Sequence, residues 1–187
     1  VGPQGEALID YGVRTVIDLR RNHELEETPN VFAGSSQVTY LHHNMVGEEP
    51  LLGTNDSVET GEPVERILAS YSSWLDLRQP QIRTTLATLA QPGARPAMYH
   101  CAGGKDRTGI ISALLLGIAG VPGDIIAEDY ALSARYLLDR YFAEQAPPES
   151  NPGNFTWEDY QRVHCPPDAM TKVLEHLNGR YGGIEPY

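Results

Sequence analysis

The apolar positions of this chain fall into short blocks separated by polar stretches rich in Gly and Pro. Residues 13–19, VRTVIDL, follow Gly12 and are rich in Thr, Val and Ile, which predicts a first strand. Residues 38–43, VTYLHH, predict a second. The polar stretch between them, with Pro29 and Gly34, reads as a loop or a short helix. Apolar residues at helical spacing predict helices over 64–77 and 82–90, with Pro80 as the break. After Gly93 and Pro96, the apolar run 97–99 predicts a buried strand. Residues 110–119 predict an apolar helix stopped by Gly120 and Pro122. A long helix is predicted over 124–145, and a last one from just after Pro166 and Pro167 to about Leu177. Residues 47–63 predict a mobile surface loop and 146–153 a connector.

Strands with intervening helices, and a polar loop held between a strand and a helix, predict an α/β fold. The expected architecture has three layers, with a central, mostly parallel sheet of about four strands flanked by helices. The 187 residues suit a single domain, 1–187. A formal net charge of −11 argues against a nucleic-acid partner and against an anionic membrane surface. Any phosphate site on such a chain must therefore make its positive potential locally. No apolar run approaches the roughly twenty residues of a membrane span, so no integral membrane segment is predicted. No signal peptide is visible, and a start at Val1 reads as a processed or trimmed product, which leaves the location open between cytoplasmic and secreted. The two cysteines, Cys101 and Cys165, make neither a disulfide framework nor a zinc signature, although one bridge between them remains open. His42 and His43 are adjacent in a predicted strand, so they face opposite sides; no metal is expected.

The informative segment is HCAGGKDRTG, residues 100–109, between a predicted strand and a predicted helix. Gly103 and Gly104 allow a sharp turn that brings backbone N–H groups close to an anion. A helix starting near Thr108 turns its unsatisfied N–H groups and positive dipole end to the same point. Arg107 can add a bidentate fork to two phosphate oxygens. Cys101 lies at the mouth of this cup, where helix N-termini and cations favour the thiolate. A cradled phosphoryl group with a thiolate behind it is set for in-line displacement and a covalent phosphocysteine. The predicted phosphate cradle is Ala102, Gly103, Gly104, Lys105, Asp106 and Arg107, and His100 is expected to order the loop by hydrogen bonding.

Residues 100–109 contain the His-Cys-x5-Arg-Thr signature, and the chain resembles the protein tyrosine phosphatase superfamily. With Lys105 and Asp106 inside the loop, it looks like the bacterial tyrosine phosphatases of the type secreted by mycobacteria, which act on phosphotyrosine and in some cases on phosphoinositides. YGVRTVIDLRRNHE (11–24), GVPGDIIAEDYALS (120–133) and RYGGIEPY (180–187) extend the likeness over most of the chain. The resemblance also implies an N-terminal segment with short strands that this sequence does not include. It implies that Cys101 is the nucleophile, that Arg107 binds phosphate, and that Thr108 assists hydrolysis of the phosphocysteine. Lys105 resembles the loop lysine of phosphoinositide-active relatives.

Protonation of the leaving group needs an acid on the far side of the phosphoryl group. The resemblance and its position favour Asp106; Glu48, Glu49 and Asp56 on the 47–63 loop are the alternatives. Asp18 and Arg20, at the end of the first strand, are candidates to support the loop from beneath, or else form a strand-terminal ion pair. The expected reaction is hydrolysis of phosphotyrosine esters in a phosphorylated protein, with phosphoserine and phosphothreonine esters as an extension. Inorganic phosphate is the product, no cofactor is needed, and the chain acts as a monomer. A phosphoinositide phosphatase is the alternative on the same chemistry; a phosphate-binding module without turnover, or a rhodanese-like sulfurtransferase, would be of another class.

Overall fold

The computed structural model describes residues 2–48, 62–144 and 155–187. The predicted loop at 47–63 therefore lies outside the described residues except at its ends, and the connector at 146–153 lies wholly outside. The chain divides into two compact units: Val1–Leu51 with Ser73–Ile111, and Leu52–Ser72 with Ser112–Tyr187.

The first unit holds a three-stranded parallel sheet among the described residues, β1 (Thr15–Asp18), β2 (Thr39–His42) and β3 (Ala97–His100), in the order β2-β1-β3. The α/β class and the flanked parallel sheet are as expected, with three described strands where about four were predicted. β1 is the centre of the sheet, paired on both edges, and all four of its residues are buried, as a strand covered on both faces requires. Val16 is paired with Tyr40 and Met98 on its two sides. These three pack with Val13, Phe32 and Val38, and with Leu8 and Ile9 of α1 (Pro3–Asp10), a helix the apolar pattern did not predict. Each such buried aliphatic side chain stabilises the unit by about 1.5–3 kcal/mol. Ile17, one step along the pleat, faces the other side and is fully buried.

Parallel register sets Asp18 beside both His42 and His100 at the carboxyl edge of the sheet. The ladder continues one step further, through Leu19 N–H to His100 O and His43 N–H to Asp18 O, both at 2.8 Å. Cys101 thus leaves the sheet where open α/β sheets carry their ligand sites. The polar stretch after β1 contains the short helix α2 (Asn22–Glu27). The predicted helices at 64–77 and 82–90 are α3 (Pro63–Leu77) and α4 (Gln79–Ala90), and Pro80 stands in the first turn of α4 rather than between the two. The helix after the 100–109 loop, α5 (Asp106–Ile118), begins four residues before the expected Ile110. Its first turn is DRTG: the apolar pattern marks the buried part of a helix, whereas here the first turn is polar.

The long helix predicted over 124–145 is two helices, α6 (Gly123–Ala131) and α7 (Ser133–Glu144). The break coincides with a competitor from another helix. The Ala131 carbonyl accepts from Gln161 Nε2 at 3.2 Å and faces the Cys165 thiol at 3.9 Å, and Arg135 N–H bonds to Leu132 O instead. Gln161 belongs to α8 (Trp157–His164), which no apolar pattern predicted. The final helix, α9 (Pro167–Tyr181), runs four residues past Leu177 and ends at Gly182, whose φ of +83° suits glycine. α6 packs along α9, with Ile126, Ala127, Tyr130 and Ala131 on one side and Ala169, Met170, Val173 and Leu177 on the other buried. Tyr130 is buried and shares a 2.9 Å hydrogen bond with Tyr71. In the C-terminal motif, Ile184 packs so close to Gly117 that a Cβ there would run into its Cδ1.

Candidate functional site

Cys101 follows directly on β3 and is 5% exposed, while Ala102, Gly103 and Gly104 form an exposed bend above it. Gly104 has a φ of +67°, the left-handed conformation that favours glycine. A Cβ at Gly103 would meet no protein atom within 4 Å, so its side of the bend is open. The bend closes into α5 through Gly109 N–H to Lys105 O at 2.7 Å. The first helical turn therefore delivers Asp106, Arg107 and Thr108 to the same place.

The Cys101 sulfur accepts a hydrogen bond from Thr108 Oγ1 at 3.3 Å. Burial by itself pushes the thiol up. The Thr108 hydroxyl and N–H, the Arg107 charge and the Gly104 N–H outweigh it, so the thiol lies below its ordinary value. Both cysteines are free thiols, so the bridge left open by the sequence is not formed.

Arg107 makes a contact the sequence reading did not predict. Its Nη1 and Nη2 grip Glu24 Oε2 and Oε1 at 2.5 and 2.9 Å, across 83 residues of sequence. Glu24 is the third residue of α2, and its Oε2 also accepts Arg21 N–H at 2.7 Å. The Arg107 bond chiefly holds its carboxyl down, to about 2. The one sequence signal for Glu24 is its place three residues after Arg21 at the head of a polar helix, the spacing of a capping box. Lys105 Nζ stands 3.4 Å from Asp106 Oδ1, so both cations of the loop have a carboxylate beside them. The positive potential of the cup thus depends heavily on its backbone N–H groups and the start of α5.

Beneath the loop, Asp18 is fully buried. Its Oδ1 accepts from Arg20 N–H and Nε at 3.1 and 3.0 Å. Its Oδ2 accepts from Arg20 Nη2 at 2.8 Å, Asn30 Nδ2 at 2.8 Å and Tyr40 OH at 3.3 Å. Burial raises this carboxyl, but the bonds from Arg20 and Asn30 bring it to about 2. Burial next to Asp18 pushes the Tyr40 hydroxyl up to about 12. Arg20 also donates to Thr28 O at 3.0 Å, so the pair ties β1 to the end of α2. His100 reaches from the same network to the loop, with Nδ1 3.0 Å from Cys101 O.

Of the alternative acids, Glu48 is exposed and bound to Asn22 N–H at 2.7 Å, His23 Nδ1 at 3.1 Å and Asn44 Nδ2 at 2.5 Å. Glu49 and Asp56 lie outside the described residues. His42 Nε2 meets Arg20 O at 2.7 Å and His43 Nδ1 meets Thr85 Oγ1 at 3.2 Å, on opposite faces of the strand as its pleat demands.

The chain matches the profile of the tyrosine phosphatase family over residues 3–187. It belongs to that family. The match bears out the resemblance drawn from residues 100–109. Within reach of this family, the chain is 32% identical over 191 residues to a tyrosine-protein phosphatase of Nostoc commune, an alignment covering 97% of this chain and 62% of that protein. It is 46% identical over 48 residues to the triple specificity protein phosphatase PtpB of Mycobacterium tuberculosis, covering 26% of this chain and 17% of that one. The chain therefore spans less than two thirds of the length of either relative. In the described part of this family member no helix is long and apolar enough to cross a membrane.

Proposed function

We propose that this chain hydrolyses phosphotyrosine esters through a phosphocysteine on Cys101. The observation that carries the reading is a buried sulfur whose ionised form is favoured by Thr108, Arg107 and Gly104 at the carboxyl edge of a parallel sheet. In the first step the Cys101 thiolate attacks phosphorus, and the S–P bond forms as the bond to the phenolic oxygen breaks. Asp106 gives that oxygen its proton; its side chain is 41% exposed on the first turn of α5, beside Lys105. In the second step water attacks phosphorus, Asp106 takes up its proton, and inorganic phosphate leaves. The Thr108 hydroxyl, already bonded to sulfur, stabilises the departing thiolate. Glu24 occupies two of the five N–H donors of the Arg107 guanidinium, and the remaining ones serve the phosphoryl oxygens. No cofactor enters either step.

Lys105, with a side chain 15% exposed next to the cup, favours a second reading in which a phosphoinositide is the substrate. The test is a rapid-mixing assay with p-nitrophenyl phosphate, followed by a comparison of a phosphotyrosyl peptide with a soluble phosphoinositide. A burst of nitrophenol is expected from the wild type and none from Cys101→Ser. Turnover that survives Cys101→Ser overturns the mechanism, and a clear preference for the phosphoinositide overturns the substrate. Asp106→Asn is expected to change the basic limb of the pH–rate profile; an unchanged profile removes Asp106 as the acid.

A further inference from the structure

His100 sits in a frame that permits one arrangement of its ring. Asn30 Nδ2 stands 2.8 Å from Asp18 Oδ2 and 2.9 Å from His100 Nε2. The orientation of the Asn30 amide is fixed at its other end, where Oδ1 accepts Phe32 N–H at 2.9 Å. Turning the amide over would set oxygen against the Asp18 carboxylate and NH2 against the Phe32 N–H. The two amide hydrogens therefore go one to Asp18 and one to His100 Nε2. With Nε2 accepting, the ring hydrogen is on Nδ1, the atom 3.0 Å from the Cys101 carbonyl oxygen. Asp18 Oδ2 is 3.6 Å from Nε2, beyond a good hydrogen bond, so it acts on the ring through Asn30.

We infer that Asn30 is a positioning residue of this site. By donating to His100 Nε2 it holds the ring in the Nδ1–H form, which bonds the Cys101 carbonyl and pins the backbone that carries the sulfur. The inference rests on the reading of Cys101 as nucleophile and deepens it. Asn30 touches neither the sulfur nor the bend above it; the charged groups of its own surroundings are Asp18 and, through Asp18, Arg20 and Tyr40. Those acting on the sulfur are Thr108, Gly104 N–H and Arg107. A purely structural Asn30 would have no reason to choose between the two nitrogens of an imidazole.

The first measurement needs no variant. Nitrogen NMR of the ¹⁵N-His-labelled chain is expected to show His100 protonated at Nδ1 and unprotonated at Nε2; the reverse assignment overturns the inference. The second is the pH dependence of iodoacetamide alkylation of Cys101 in Asn30→Ala and Asn30→Asp, the latter keeping an acceptor for Phe32 N–H but no donor for His100. Loss of the relayed hydrogen bond is expected to raise the apparent thiol pKa in both by about one unit, leaving on the order of tenfold less thiolate below it. With p-nitrophenyl phosphate, kcat should fall while KM stays near the wild-type value. An unchanged thiol titration in a folded Asn30→Ala sinks the proposal. If the wild type shows no Cys101-dependent hydrolysis, the phosphatase reading is what fails, because the ring and alkylation measurements read Asn30 without turnover.

Discussion

Glu24 and Arg107 meet as a two-bonded ion pair with both side chains largely shielded, 19% and 13% exposed. Under the proposed function, the pair aims a long, flexible side chain that a phosphoryl group would otherwise have to order on binding. Glu24→Gln keeps the size of the side chain and removes its charge, so one of the two bonds turns into a donor facing a donor. Its kcat/KM for an aryl phosphate is expected to fall by about tenfold or more, corresponding to about 1.4 kcal/mol or more of transition-state stabilisation. Steady-state kinetics checks this, and a value within twofold of the wild type refutes it. Thr108 acts on the sulfur itself. Thr108→Ala removes a donor to the ionised form, so the midpoint of Cys101 alkylation should move to higher pH. Because a thiol lowered on folding is ionised from a lower pH upward, the acidic limb of activity should move up with it.

At the scale of elements, the site depends on how two connections are built. β1 to β2 carries Arg20, then α2 with Glu24, then Asn30, and β2 itself adds Tyr40, so this stretch supplies Arg107's partner and Asp18's donors. β3 to α5 carries the bend itself, and its helix starts early enough to include Arg107 and Thr108. In the second unit, α8 is held by a side-chain cap, whereas α6 and α9 have none. α8 is set by Thr156, whose side-chain oxygen accepts Asp159 N–H at 3.3 Å while Asp159 Oδ2 accepts Thr156 N–H at 3.0 Å. Thr156→Ala is expected to cost about 1 kcal/mol, read as a lower urea midpoint at unchanged slope. An unaltered midpoint means the cap contributes nothing to stability.

At the scale of the molecule, the shifted carboxylates and histidine among the described residues share one response to acid. Asp18 and Glu24 are both held at about 2 in the fold, below the ordinary carboxylate range. Burial beside His42 also lowers His43. A group lowered on folding contributes stability above its unfolded pKa, and that contribution is lost as pH falls through the folded one. His43 therefore begins to weigh against the fold below about pH 6.5. The two carboxylates do so between about 4.5 and 2, with Asp18 alone contributing about 2 kcal/mol. Urea unfolding at several pH values should show stability falling through both windows, and Asp18→Asn should flatten the lower one. A flat profile from pH 6 to 3 would contradict the buried network.

Much of this was legible in the linear chain because it is local. The bend at 100–109 is contiguous, its glycines and Arg107 sit at fixed offsets from Cys101, and a strand before and a helix after it follow from their own residues. Asp18 and Arg20 were likewise visible as candidates, being two residues apart on one strand end. Glu24 and Asn30 were not, because a partner 83 or 70 residues away leaves no mark on spacing. The division of the 124–145 helix escaped for the same reason, since the competitor for the Ala131 carbonyl comes from Gln161. Backbone geometry and chemical type are properties of neighbours in sequence, so they can be read in order. Which carboxylate meets which cation is settled only when parallel strands bring their carboxyl ends to one edge.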